Sequence, residues 1–392
     1  LLLSLEKRKK ETAVNNRGKS LILMTILGFA LLSACGRAPS GDEILIGEYS
    51  SLTGTTATFG LSTHRGLLLA VEDINGAGGI FGRRIKLITE DTQSKPEEAA
   101  TAVTKLITRD RVAAIIGEVS SSRSLAAAPI CQRNRIPMVS PASTNPAVTE
   151  KGDFIFRVCY IDPFQGEVMA RFAFNSLGLR KVALLKDIRN DYSIGLAQFF
   201  EISFKKLGGE VIATQAYSEG DVDFKAQLTA LKAADPQAII LPGYYTEAAL
   251  IAKQARELNM NMPIIGGDGW DSSKLIEIGG KAMDNTFFST AYTADDPDTM
   301  VQKFVARYRK SFGETPDAMA ALGYDAGRIL FDAIGRCGNV QPECIRDALA
   351  KTENFRGVTG TITIGPDRNA RKPAVIIAVN DNKMSLREII QP

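Results

Sequence analysis

The amino-acid sequence predicts an α/β protein of two doubly wound lobes with mostly parallel sheets, and three observations carry that expectation. Short β-rich runs alternate with helical patterns of about 10–15 residues, which is the signature of repeated βαβ units. The strand-like runs are apolar throughout rather than alternating, as happens when helices cover both faces of a sheet. The chain holds roughly a dozen βα units, too many for one compact sheet.

In chain order, the strand-like runs are Ile44–Tyr49, Ile85–Glu90, Val112–Gly117, Phe154–Cys159, Val182–Lys186, Glu210–Tyr217, Ala238–Leu241 and Pro263–Gly266. Between them the 3.6-residue period predicts helices over Gly60–Asn75, Pro96–Arg109, Phe164–Leu177, Ile194–Leu207, Phe224–Ala233 and Glu247–Leu258. The series restarts at Asp162-Pro163. After Ser289 two long helical stretches, Asp298–Phe312 and Asp317–Arg336, precede β-rich runs at Val358–Ile364 and Ala374–Val379.

The N-terminal segment has a different character. Arg17 and Lys19 precede the apolar run Leu21–Leu32, which leads into Ser33-Ala34-Cys35-Gly36. A basic region, a short apolar core and small residues before a cleavage point predict a secretory signal over residues 1–35. As a helix the run rises about 18 Å, too short for a hydrocarbon core of about 30 Å. Leu32-Ser33-Ala34-Cys35 resembles the bacterial lipobox, in which the cysteine is acylated and becomes the mature N-terminus. A start at Val14 would leave a signal of ordinary length. Residues 36–42, rich in Gly, Pro and Ser, predict a tether.

The formal charge of +3 comes from that leader; without residues 1–34 there are 41 basic and 42 acidic residues, a net of −1. A near-neutral chain gives no electrostatic reason to expect nucleic acid. The only histidine, His64, falls in a predicted helix and reads as a solvated or half-buried helix residue. No Cys, His and carboxylate cluster stands at metal-ligand spacing, so no metal or cofactor is expected. Neither a Gly-x-Ser-x-Gly elbow nor a histidine partner supports a hydrolase, and no catalytic residue is assigned. Cys337 and Cys344 flank a short Gly-Asn-Val-Gln-Pro-Glu connection between two predicted helices and are expected to pair; Cys131 and Cys159 read as buried thiols.

Three segments carry a family likeness: Gly47–Gly60 (GEYSSLTGTTATFG), Ala70–Arg83 (AVEDINGAGGIFGR), and Gly117–Ser124 followed by Pro137–Thr144 (PMVSPAST). In this order and spacing the chain resembles the leucine/isoleucine/valine-binding proteins, type I periplasmic solute-binding proteins of branched-chain amino acid ABC transporters, from about Glu43 to Leu386. The resemblance implies a three-crossover hinge near Cys159–Asp162, Phe288–Tyr292 and Val375–Val379. Lobe one would be residues 43–160 plus 289–376, and lobe two residues 161–288 plus 377–392. It further implies an amino acid bound in the cleft, a membrane permease as partner, and a monomer lipid-anchored through Cys35 at the periplasmic face of the cell envelope.

The same resemblance distributes the site residues. Ser121, Ala142 and Thr144 would hold the ligand head group from lobe one, and Asp268 would receive its ammonium from lobe two. Tyr244 and Tyr192 would close over it, and Phe59, where several relatives carry tyrosine, would form an apolar wall. Each residue also has a plainer reading. Ser120-Ser121-Ser122 opens a predicted helix and can cap it; Pro141–Thr144 suits a proline turn; Asp268-Gly269 suits a turn; the tyrosines suit a lobe surface. Trp270, the only tryptophan, has no family role and suits pocket lining or packing equally. Other functions to weigh are a sensor module, or a binder of an amide, urea or aromatic acid. No membrane span or output domain follows before Pro392, which favours transport over sensing, and a carboxylate at position 268 favours a zwitterion over an uncharged solute.

Overall fold

A computed structural model describes residues 43–391. The signal segment with Cys35, the tether, and Pro392 lie outside the described residues.

The first α/β body is built on a sheet of five strands: β1 (Glu43–Ser50), β2 (Arg84–Asp91), β3 (Ala114–Ile116), β4 (Met138–Ser140) and β5 (Ile155–Arg157), in the order β2-β1-β3-β4-β5, with β1, β3, β4 and β5 parallel to one another. The register sets Ile46 beside Ala114 and Ile115 beside Met138. Its first helices are α1 (Ala57–Gly76), α2 (Pro96–Thr108) and α3 (Ser121–Arg133). α2 begins where its chemistry favours a start, with Pro96 in the first turn followed by Glu97 and Glu98, and Lys105 lies in its last turn.

The chain then passes to a second body through residues 158–161. There lie α4 (Asp162–Arg171), β6 (Lys181–Asp187), α5 (Asp191–Lys206), β7 (Glu210–Tyr217), α6 (Lys225–Ala233), β8 (Ile239–Ile240), α7 (Tyr245–Glu257), β9 (Ile264–Gly266), α8 (Ser273–Gly279) and β10 (Thr286–Thr290). A π-helical turn, Phe172–Ser176, continues α4 and fills out the helix the sequence predicts to Leu177.

A second passage, residues 291–298, returns to the first body. α9 (Thr299–Phe312) and α10 (Ala318–Cys337) pack on α1, and α11 (Pro342–Ala350) packs on α10. α1 and α10 meet backbone to backbone: a Cβ built on Gly66 would stand 1.9 Å from the Ala320 carbonyl oxygen, so only glycine allows this approach. A small antiparallel sheet follows, of β11 (Phe355–Gly357), β12 (Gly360–Ile364) and β13 (Ala370–Arg371). A third passage at residues 372–373 leads to β14 (Ala374–Asn380) and β15 (Lys383–Ile390), which complete the second sheet in the order β15-β14-β10-β9-β8-β6-β7. β14 runs antiparallel to both β10 and β15, whereas β6 to β10 are parallel to one another.

Val182–Leu185, Ile239–Leu241, Ile264 and Ile265 are all at most 1% exposed, so both faces of the second sheet are covered. Each such Val, Leu or Ile side chain contributes about 1.5–3 kcal/mol of transfer free energy. β15 carries Lys383, Arg387 and Glu388 at an edge, which discourages pairing with another chain. The Cys337 and Cys344 sulfurs are bonded, with Cα atoms 5.6 Å apart, and Cys131 and Cys159 are buried thiols. His64 is half-buried on α1 with Nδ1 2.6 Å from Glu48 Oε2. No helix among the described residues is long and apolar enough to cross a membrane.

Candidate ligand pocket

The carboxyl ends of strands from both sheets face one another across a cleft, the position where α/β sheets place ligands. Six of the seven residues expected to bind converge on one pocket. Phe59 enters from α1, Ala142 and Thr144 from the loop after β4, Tyr192 from α5, Tyr244 from the loop after β8, and Asp268 from the loop after β9. Val119, Gly269 and Met319 complete the lining. These side chains leave only about 10 Å³, room for about one water molecule.

Ser121 stands just outside this lining. Its Oγ accepts the Asn145 N–H at 3.2 Å, which ties the start of α3 to the loop after Thr144. Ser120, at the N-cap position, makes no capping bond to α3. A buried Glu118 organises the turn instead: its Oε2 accepts the Ser120 N–H at 2.7 Å, and its Oε1 accepts from Thr92 and Ser51. Thr144 Oγ1 is buried without a hydrogen-bond partner.

The aromatic wall is tight. Tyr192 and Tyr244 stack with ring centroids 5.5 Å apart, and Phe59 meets Tyr244 edge-on at 5.5 Å and Tyr245 at 4.9 Å. This closeness depends on the glycines around Asp268. A Cβ at Gly267 would stand 2.3 Å from the Tyr192 hydroxyl, and one at Gly269 would stand 2.5 Å from the Gly243 carbonyl oxygen. The Gly269 N–H donates to Tyr192 Oη at 3.1 Å, fixing the loop against the ring. Trp270 does not reach the pocket; it is fully buried and packs beside Phe288, with centroids 6.4 Å apart.

Asp268 is 6% exposed, and Gln165 Nε2 donates to its Oδ1 at 2.9 Å. Burial raises its pKa to about 6, against the pull of hydrogen bonds from Gln165 and Tyr192. A second carboxylate, Asp162, opens α4 and is fully buried, with neither oxygen hydrogen-bonded. Burial pushes Asp162 up to about 8; the charge on Asp268 adds to the rise and the Arg157 guanidinium counters part of it. Neither carboxylate has an ion-pair partner among the described residues. Gln165 Oε1 is likewise a buried acceptor without a donor. Sequence reasoning assigned Asp162 to punctuation and passed over Gln165. Their three-residue spacing at a helix start, which puts both on one face, was the available signal. Glu118, Val119, Gly269 and Met319 had no comparable mark.

Residues 43–383 match the family described as periplasmic binding protein. An amino acid binding protein of Pseudomonas aeruginosa is 30% identical over 331 residues, covering 83% of this chain and 87% of the relative. The crystal structure of a leucine binding protein from Thermotoga maritima is similar with a TM-score of 0.86 and 41% identity, covering 89% of this chain and 99% of that one. A branched-chain amino acid transporter substrate binding protein from Streptococcus pneumoniae, solved with isoleucine, gives a TM-score of 0.85 at 34% identity and covers 89% and 100% of the two chains.

Proposed function

The chain belongs to the periplasmic binding protein family, and from that premise we propose that it captures a free aliphatic amino acid between its two bodies for delivery to an ABC transporter. The observation that carries this reading is the grouping of Asp268, Asp162 and Gln165 Oε1, buried acceptors beside an apolar pocket with too few donors. A ligand ammonium supplies three donors and a positive charge, which is what such a group requires. Thr144 Oγ1 and the hydroxyl hydrogen of Ser121 then serve the carboxylate, with backbone N–H groups at the start of α3. Phe59, Val119, Met319 and the two tyrosines leave an uncharged wall for the side chain. The relative of known complex binds isoleucine.

Capture requires the bodies to separate, because the pocket as it stands holds about one water. The three passages between the sheets are where rotation would concentrate. The expected domain division, residues 43–160 plus 289–376 against 161–288 plus 377–392, is part of this reading with two seams moved to the passages at 291–298 and 372–373, because Ser289 and Thr290 pair with Ile376 and Val375 inside the second sheet. So are export through residues 1–35, acylation of Cys35, the permease partner and a monomeric state.

The test is calorimetry of the mature chain against isoleucine, leucine, valine, alanine, the deaminated analogue 4-methylpentanoate, and benzoate. Binding of an amino acid without binding of 4-methylpentanoate supports the reading; binding of benzoate or of the deaminated analogue in its place refutes it. Lipidation is tested separately, by mass spectrometry of the N-terminal peptide and by the fractionation of Cys35→Ser.

A further inference from the structure

At the mouth of the cleft, the guanidinium of Arg123 on α3 is buried, with its side chain 3% exposed. Within its own body it donates to the Ser94 carbonyl at 2.6 Å, to Thr56 Oγ1 at 2.9 Å and to Ser120 Oγ, all of them neutral groups. Its one carboxylate among the described residues comes from the opposite body. Glu219, in the loop after β7, accepts from Arg123 Nη2 at 3.3 Å through Oε1. The same oxygen accepts from Thr55 Oγ1 at 2.6 Å, again across the cleft. Nearby, Tyr245 Oη donates to the Thr55 carbonyl at 3.1 Å, and Ser122 Oγ accepts the Asp191 N–H at 3.0 Å. Arg123, Glu219, Thr55 and Tyr244 together line a vestibule of about 440 Å³, and Tyr244 is also a wall of the ligand pocket.

The geometry points to Glu219 as a positioning residue for ligand capture, a latch that closes the vestibule by giving the buried Arg123 its counterion only when the two bodies meet. Opening removes that carboxylate and leaves Arg123 with the neutral partners of its own body, so the charge pair exists only in the closed state. Closure restores the pair and brings Tyr244 over the pocket. Glu219 therefore weights the closed state without touching the ligand, and anything that favours the closed state slows ligand escape in proportion. This rests on the amino-acid capture proposed above; the side chain of Glu219 is 25% exposed, so it can be changed without opening a core cavity.

The experiment compares the wild-type mature chain with Glu219→Gln, using isoleucine as the probe. Stopped-flow kinetics should give an isoleucine dissociation rate about tenfold faster for Glu219→Gln, with the association rate and the ligand-free melting temperature close to wild type. Glu219→Asp should recover part of the loss. A structural role alone would lower the melting temperature and leave the dissociation rate unmoved. An unchanged dissociation rate in Glu219→Gln overturns the latch. If the wild type takes up no isoleucine, capture of this ligand fails separately, and small-angle scattering of the ligand-free proteins decides the latch. A larger radius for Glu219→Gln supports it, and equal radii overturn it.

Discussion

Replacing Asp268 by asparagine keeps the shape of the side chain and removes its charge, and its two effects should have opposite signs. The amide oxygen of the new side chain can still accept the Gln165 N–H that Oδ1 accepts at 2.9 Å. What disappears is a carboxylate 6% exposed and held near pH 6 by burial. Relative to an ordinary carboxyl near 4, that costs the ionised folded state about 3 kcal/mol at pH 8. The ligand-free Asp268→Asn protein should therefore melt a few degrees higher than wild type at pH 8, and the gain should vanish near pH 4, where both forms are neutral. Binding should move the other way. A buried ammonium deprived of its carboxylate loses about 2–5 kcal/mol, which weakens isoleucine binding by about thirtyfold to several thousandfold. Differential scanning fluorimetry and calorimetry on one preparation give both numbers. A variant that binds isoleucine as the wild type does, or that melts lower at pH 8, would sink the assignment of Asp268 as the ammonium acceptor.

The same carboxylate sets a pH dependence. Ammonium binding needs Asp268 ionised, so isoleucine affinity should fall about tenfold per pH unit below about 6, measured by calorimetry from pH 4.5 to 8. Asp271 in the second body and Asp317 at the start of α10 are both raised by burial, and each repels the other; Thr290 and Ser62 donate to them at 2.6 and 2.7 Å. Both are protonated in the folded chain at pH values where the unfolded chain is ionised. Melting temperature should accordingly fall as pH rises from about 4 to 7, and Asp271→Asn should flatten that slope. Gly269→Ala should weaken binding and cost about 1–3 kcal/mol in urea denaturation, because the new methyl meets the Gly243 carbonyl. Reducing the Cys337–Cys344 bond should cost about 2.5 kcal/mol by the same assay, the chain-entropy value for so short a loop.

The β-branched runs buried on both faces announced themselves, and the strand Glu210–Tyr217 coincides with its expected limits. Pairing was harder to read. β15 alternates charged and apolar residues at an edge, and nothing local distinguishes it from a polar tail. The direction of β14 depends on partners distant in the sequence, Thr286–Thr290 and Lys383–Ile390. In the pocket, the family resemblance could assign residues that directly follow strands: Thr144 after β4, Tyr244 after β8, Asp268 after β9. Met319 comes from a helix that returns to the first body after the whole second body has been made, so no spacing rule reaches it. Asp162-Pro163 marks the restart of the βα series in the sequence, as observed, but nothing local shows that the Asp162 carboxylate turns inward from the helix it starts.

The chain's single tryptophan gives the molecule an optical property of its own. Trp270 sits two residues beyond Asp268, sealed from solvent against Phe288, with its indole N–H unpaired. All indole emission from the protein therefore originates at one site, in an apolar setting that shifts it to the blue. Any change in the ionisation or position of Asp268 alters the electric field at that ring. On the proposed role of Asp268, ligand uptake should shift this emission in the unmodified protein, with no dye attached and no residue replaced.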